Sequence, residues 1–171
     1  MYFQYPLESL ARKRDVRSQL EFAREASRAF SDTDDAIFEP LDHGLAILAA
    51  NEDALVMPTD VLRELYGDAV QVRQPSVRYL AGEPLQEPVM HVSARVRREH
   101  AAALLRELRL RAVELTEECM RDRSFLVRGE APMARLMGLP ARLHALTKGS
   151  AVLSIRLIRY APVAPDEGHA A

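Results

Sequence analysis

The side chains able to do chemistry are scattered along this chain rather than gathered. His43, His91, His100, His144 and His169 stand far apart, with no cysteine or carboxylate beside them at the spacing of a metal site. His91 falls on the polar side of an alternating segment and His144 in a helical one, where solvated or locally bonded imidazoles account for both. Cys119 lies beside Glu117, Glu118 and Asp122, an acidic setting that opposes the thiolate a nucleophile needs. Ser124, Ser150 and Ser154 have no histidine–acid pair spaced to activate a hydroxyl. The residues therefore predict no catalytic group, no metal and no cofactor, and the chain is not expected to be an enzyme.

Arginine carries the clearer signal. Of 23 basic residues, Lys13 and Lys148 are the only lysines. The arginine fork suits phosphate because it donates two parallel hydrogen bonds. Arg95, Arg97, Arg98, Arg106, Arg109, Arg111, Arg121, Arg123 and Arg128 crowd one stretch of sequence. They fit either a phosphate-bearing partner or solvated faces paired with Glu99, Glu107 and Glu114. The charge is also unevenly shared: residues 1–83 carry 9 basic and 15 acidic side chains, whereas residues 84–163 carry 14 and 8. That asymmetry suits an anionic partner for the second half, or attraction between the halves or to a second chain.

With 171 residues, 48% apolar and 28% charged, the composition is that of a soluble globular protein of one ordinary domain or two small ones. No apolar run approaches the roughly 20 residues a membrane span needs. The N-terminus shows no signal-peptide pattern, and a single cysteine fits a reducing compartment, so a cytoplasmic location is expected.

Around these arginines the predicted strands and helices follow the same order twice. In the first copy a strand from Tyr2 to Leu7 precedes a helix from about Asp15, with Val16, Leu20, Ala23, Ser27 and Phe30 at helical spacing. Ala36–Glu39 and Leu45–Leu48 form a hairpin turning at Asp42-His43-Gly44. Pro58 suits the start of a second helix carrying Val61, Leu62 and Leu65, which Gly67 ends before a strand with Val70 and Val72. In the second copy Met90, Val92, Ala94 and Val96 alternate with polar residues. Ala101, Leu104, Leu105 and Leu108 form a helical stripe. Val113 and Leu115 mark the next strand, and Phe125–Val127 its partner. Pro132 starts a helix that Gly138 and Pro140 interrupt, and Leu153, Ile155 and Leu157 close the order. The prediction is an α+β chain of two tandem ferredoxin-like β-α-β-β-α-β domains, residues 1–82 and 89–163. Residues 83–88, with two prolines, form a stiff linker, and residues 164–171 a disordered tail.

Several segments carry a family resemblance. Glu87-Pro88-Val89-Met90, Leu143-His144-Ala145-Leu146-Thr147-Lys148-Gly149 and Arg159-Tyr160-Ala161-Pro162 resemble the C-terminal domain V of elongation factor G-type translational GTPases. The family reads E-P-[IV]-[ML], then L-[RK]-S-x-T-x-G, then a strand ending in Tyr and Pro at the matching places. The first copy is similar to domain III at Leu62-Arg63-Glu64-Leu65-Tyr66 and Val72-Arg73-Gln74-Pro75-Ser76-Val77-Arg78-Tyr79. Passing from one to the other without a domain IV is similar to the BipA and LepA branches. The departures matter too. No G-x-x-x-x-G-K-[ST] phosphate loop occurs, and Lys148-Gly149-Ser150 lacks its leading glycine and precedes a strand, so nucleotide hydrolysis by this chain is not expected. Where domain III carries a G-x-G-E-L-H-like turn, Asn51-Glu52-Asp53-Ala54-Leu55-Val56 keeps the glutamate and loses the glycines and histidine.

The resemblance implies a non-catalytic, translation-factor-like protein that binds the ribosome or ribosomal RNA backbone. Arg106, Arg109, Arg111, Arg142, Thr147, Lys148 and Gly149 are the candidate contacts, the last three carried over from the domain V motif. The alternative is a protein-interaction or self-association module, such as a homodimer, that has kept the fold without ribosome binding. A third possibility is a separately encoded GTPase partner that completes the factor. Membrane and DNA are not expected partners. Base stacking on a ferredoxin-like sheet needs paired aromatics, and strand alternation supplies His91, Ser93, Arg156 and Tyr160 instead, which leaves backbone contact open.

Overall fold

The computed structural model describes residues 3–164. Most of the expected tail, with His169, and the expected strand start at Tyr2 lie outside the described residues. Contacts divide the chain into two units, Met1–Arg78 with Met137–Arg142, and Tyr79–Leu136 with Leu143–Ala171.

The first unit holds β1 (Leu7–Lys13), α1 (Gln19–Ser27), β2 (Ala36–Leu41), β3 (Gly44–Ala49), α2 (Val56–Tyr66), β4 (Val70–Val72) and the short β5 (Ser76–Val77). Its sheet runs β2-β3-β1-β4, antiparallel throughout, with β5 also pairing β1. β1 starts later than the alternation predicts. Phe3 and Gln4 form a turn, Tyr5 is buried with its hydroxyl donating to the Thr33 carbonyl at 2.8 Å, and Pro6 has no N–H to give a ladder. The helix predicted from Asp15 likewise begins at Gln19. Asp15 adopts φ 56°, Ser18 accepts from the Glu21 amide at 3.2 Å as N-cap, and the Gln19 amide bonds both backbone groups of Lys13. Beyond Ser27 the ladder tightens to i→i−3 bonds, and Phe30 leaves the helix to stack on Phe38 of β2 with centroids 4.3 Å apart. Gly44 closes the β2–β3 turn at φ 143°, where a Cβ would strike the Ala11 carbonyl oxygen.

The second unit holds β6 (Gln86–Arg97), α3 (Ala101–Leu110), β7 (Glu114–Arg121), β8 (Ser124–Pro132), α4 (Met133–Leu136), the end of α5 (Leu139–Thr147), whose residues up to Arg142 group with the first unit, and β9 (Val152–Pro162). Its antiparallel sheet runs β7-β8-β6-β9. In each unit the first strand lies between the third and the fourth, so the chain is a tandem pair of ferredoxin-like folds. Pro132 ends β8 rather than opening the helix, which starts one residue later. Gly138, at φ 80°, and Pro140 split that helix into α4 and α5.

β6 is the spine of this unit, paired on both edges. Met90, Val92, Ala94 and Val96 are all at most 2% exposed, while Arg95 and Arg97 on the alternate positions are exposed. α3 buries Ala101, Leu104 and Leu108 at helical spacing. β8 buries Phe125, Val127 and Ala131, and α4 and α5 bury Met133, Leu136, Leu139 and Leu143. The β6–β9 register shifts between Val89 and Met90, leaving Ile158 as the extra residue of a bulge.

Leu104, 1% exposed, and Leu110, 76% exposed, separate core packing from surface on one helix. Leu104→Ala is expected to destabilise the protein by about 2–5 kcal/mol, and Leu110→Ala to stay within about 0.5 kcal/mol. Denaturant unfolding followed by far-UV circular dichroism reads both.

Candidate nucleic-acid interface

α3 presents its arginines to solvent because its apolar stripe faces inward. With Leu104 and Leu108 buried, Arg106 and Arg109 fall three residues apart on the exposed face. Neither has an ion-pair partner among the described residues. They border a shallow depression with Ala102, Leu105 and Leu110, so the outer face of α3 is cationic around an apolar strip.

Arg111 is placed differently. Its Nε donates to the Glu107 carboxylate at 3.1 Å, and its Nη1 to the Arg135 carbonyl at 3.0 Å. It ties the end of α3 to α4 instead of facing solvent. Glu107 is thus the partner that the i, i+4 spacing predicts. Arg142 is exposed on α5, within a segment that groups with the first unit.

The Thr147-Lys148-Gly149 segment is the C-terminal cap of α5. Thr147 is 3% exposed: its hydroxyl donates to the Leu143 carbonyl at 2.8 Å and accepts from the Ala151 amide at 3.2 Å. Lys148 and Gly149 both turn left-handed, at φ 51° and 78°, and the Gly149 amide donates to the His144 carbonyl at 2.9 Å. A Cβ on Gly149 would stand 2.9 Å from the His144 ring. Ser150 seals the turn by donating from its hydroxyl to the Thr147 carbonyl at 2.7 Å. The motif residues therefore divide their work: Thr147 and Gly149 build the turn, and the turn holds Lys148 out into water. Arg106, Arg109 and Lys148 are exposed in the same unit, on two different elements.

The remaining singled-out residues are surface or structural. Cys119 is half-buried on β7, opposite Leu126. Glu99 lies 3.5 Å from the His100 imidazole. In the first unit, the turn from Asn51 contains a 3-10 helix, Asp53–Leu55, that leads into α2 at Val56, and the Asn51 side chain accepts from the Ala54 amide at 3.0 Å. Among the described residues no three His, Cys, Asp or Glu side chains gather as metal ligands, and no helix is long and apolar enough to cross a membrane.

Two ion pairs cross the second sheet that residue spacing does not predict. Arg128 meets Glu117 at 2.9 Å, and Arg159 meets Glu130 at 2.9 Å. Both depend on register, the second because the bulge at Ile158 re-aims β9.

A family model described as the elongation factor G C-terminus matches residues 84–170, half of the chain, and those residues contain β6, α3 and the α5 cap. The chain belongs to that family. Over 87 residues it is 31% identical to ribosome-releasing factor 2, mitochondrial, of Rattus norvegicus and of Mus musculus, covering 51% of this chain and 11% of each relative. The same factor of Danio rerio is 31% identical over 83 residues, 48% of this chain and 11% of that one. The match thus spans about a tenth of these relatives' length. A crystal structure of a Thermus thermophilus protein is similar with a TM-score of 0.67 at 13% identity, over 92% of this chain and 41% of that one. At that identity the likeness speaks to the fold, and it reaches beyond the family match into the first unit.

The cap predicts a contrast between neighbours. Thr147→Val strands the Ala151 amide and is expected to cost about 1–3 kcal/mol. Lys148→Gly relieves a left-handed lysine and is expected to stabilise by about 1 kcal/mol. Chemical denaturation of the two variants beside the parent protein checks the opposite signs.

Proposed function

We propose that this elongation factor G C-terminus family member is a non-catalytic, translation-factor-like protein that docks on the ribosome through ribosomal RNA backbone. In this reading residues 1–82 and 89–163 are its two functional modules, and the second makes the contact. The observation that carries the proposal is the exposed pair Arg106 and Arg109, with no carboxylate partner among the described residues, in the same unit as a turn that forces Lys148 outward. Such cations suit phosphate, which needs charge and reach but no base-reading pocket. Arg142 is a further candidate contact, on a segment that groups with the first unit. Arg111, Thr147 and Gly149 serve it indirectly, by fixing the end of α3 and the shape of the α5 cap. The relatives named for ribosome release support the same partner.

A second reading follows from the apolar strip between those arginines. Leu105 is half-exposed and Leu110 76% exposed, so α3 could seat against another protein or a second copy of the chain. Sedimentation velocity separates the readings, since self-association through α3 gives a concentration-dependent dimer that Leu110→Glu dissolves.

The direct test is co-sedimentation with purified ribosomal subunits across a salt series. Binding should weaken steeply with salt and fall at least tenfold in an Arg106→Glu/Arg109→Glu/Lys148→Glu variant. The log–log salt slope should become shallower by about one for each phosphate contact removed. No sedimentation at low salt would refute the proposal.

A further inference from the structure

The second sheet has an apolar face, set by Met90, Val92, Ala94 and Val96, and an opposite face that no helix of that unit covers. On the uncovered face the register brings five polar side chains into two rows. Arg128, Ser93 and Ser154 lie side by side across β8, β6 and β9, and His91 and Arg156 are paired in the adjacent row. These five residues line a shallow depression with no carboxylate in its wall. Glu117 and Glu130 continue the two rows and are engaged, Glu117 with Arg128 and Glu130, opposite His91, with Arg159, each at 2.9 Å; Glu114 lies beyond Glu130 on the edge strand β7. Arg156 has no hydrogen bond or ion pair from its side chain among the described residues, and neither does Arg95 one row further along β6. Arg128 gives only Nη1 to Glu117, leaving further donors of its fork unused.

We infer that this depression is a second phosphate-binding surface, separate from the α3 and Lys148 contacts, and that it seats the backbone of an RNA strand. The wall chemistry selects the ligand. Arginine and serine hydroxyls are the groups that hydrogen-bond phosphate oxygens, and here they stand on rigid neighbouring strands. Rows two residues apart along a strand repeat at about 6.6 Å, so donors recur along the strand direction instead of converging on one point. That arrangement suits a chain of phosphates better than a single small anion. A protein partner would need an apolar or aromatic anchor to dehydrate at the centre of its interface, and the five lining residues offer none. The same lack of aromatics means that bases are not stacked, so binding is indifferent to sequence. The choice of RNA over another polynucleotide rests on the ribosome reading above; the phosphate chemistry does not. Two cationic surfaces on one small unit would let it bridge two RNA segments.

The test is a backbone amide NMR titration of the full chain with a 12-nucleotide single-stranded RNA of mixed sequence. Parallel titrations use inorganic phosphate at matched phosphate concentration, and a poly-glutamate peptide. The inference predicts shifts centred on His91, Ser93, Arg128, Ser154 and Arg156 with RNA, which fade as salt rises. They should be weaker by at least tenfold in apparent affinity in Arg156→Glu, and persist in Arg106→Glu/Arg109→Glu. Arg156 is exposed, and Arg156→Ala serves as the milder variant should the charge reversal perturb the sheet. RNA-induced shifts confined to α3 would overturn the inference while leaving the ribosome proposal standing. Equal shifts from inorganic phosphate would reduce the surface to a small-anion site, and equal shifts from poly-glutamate to an acidic-protein site; either result overturns it. Sheet-face shifts together with failed ribosome co-sedimentation would leave the phosphate surface and remove the ribosome.

Discussion

The second unit depends on the two-residue period of β6. One strand, paired on both edges, commits every even-numbered residue from Met90 to Val96 to the core. The alternate positions are thereby assigned to the opposite face, where His91, Ser93 and Arg95 stand. A slip of one residue would bury charge and expose the core together, so the register is held by the cost of that exchange. The same choice orients α3, because its buried stripe must meet the apolar face. Arg106 and Arg109 are exposed as a geometric consequence, since they fall away from Leu104 and Leu108 on the helix.

The α5 cap shows a second way in which structure sets chemistry. A buried threonine hydroxyl satisfies two backbone groups, a glycine closes against a histidine ring, and the lysine between them accepts a left-handed backbone. Of the three residues only Lys148 offers a charge to a partner. The motif is therefore better understood as a device for presenting one cation than as three contacts. Arg111 illustrates the same division on α3, since its pairing with Glu107 and the Arg135 carbonyl leaves Arg106 and Arg109 as the outward-facing cations of that helix.

Much of this was legible in the sequence where periodicity was strong. The alternation of β6, the α3 stripe, the break at Gly138 and Pro140, and the β2–β3 turn all follow from spacing and turn chemistry, and so does the ferredoxin-like order in both units. The first unit's opening departs from its pattern: Tyr2 to Leu7 alternates as a strand does, while Tyr5 is spent on a long-range bond to Thr33 and Pro6 gives no ladder donor. The start of α1 was within reach: Ser18-Gln19-Leu20-Glu21 carries the Ser-x-x-Glu spacing of a helix N-terminus, and Ser18 is the cap. The burial of Thr147 and the pairs Arg128–Glu117 and Arg159–Glu130 were out of reach. They depend on a turn's hydrogen bonds and on strand register with a bulge, which one-dimensional spacing does not encode.

In the proposed function the basic second unit, rather than the acidic first one, meets RNA. UV crosslinking of the protein bound to purified ribosomal subunits, with mass-spectrometric mapping of RNA-adducted peptides, tests it most directly. Adducts are expected on peptides spanning 101–111 and 143–156. Adducts confined to residues 1–82, or none from a complex that co-sediments, would contradict it.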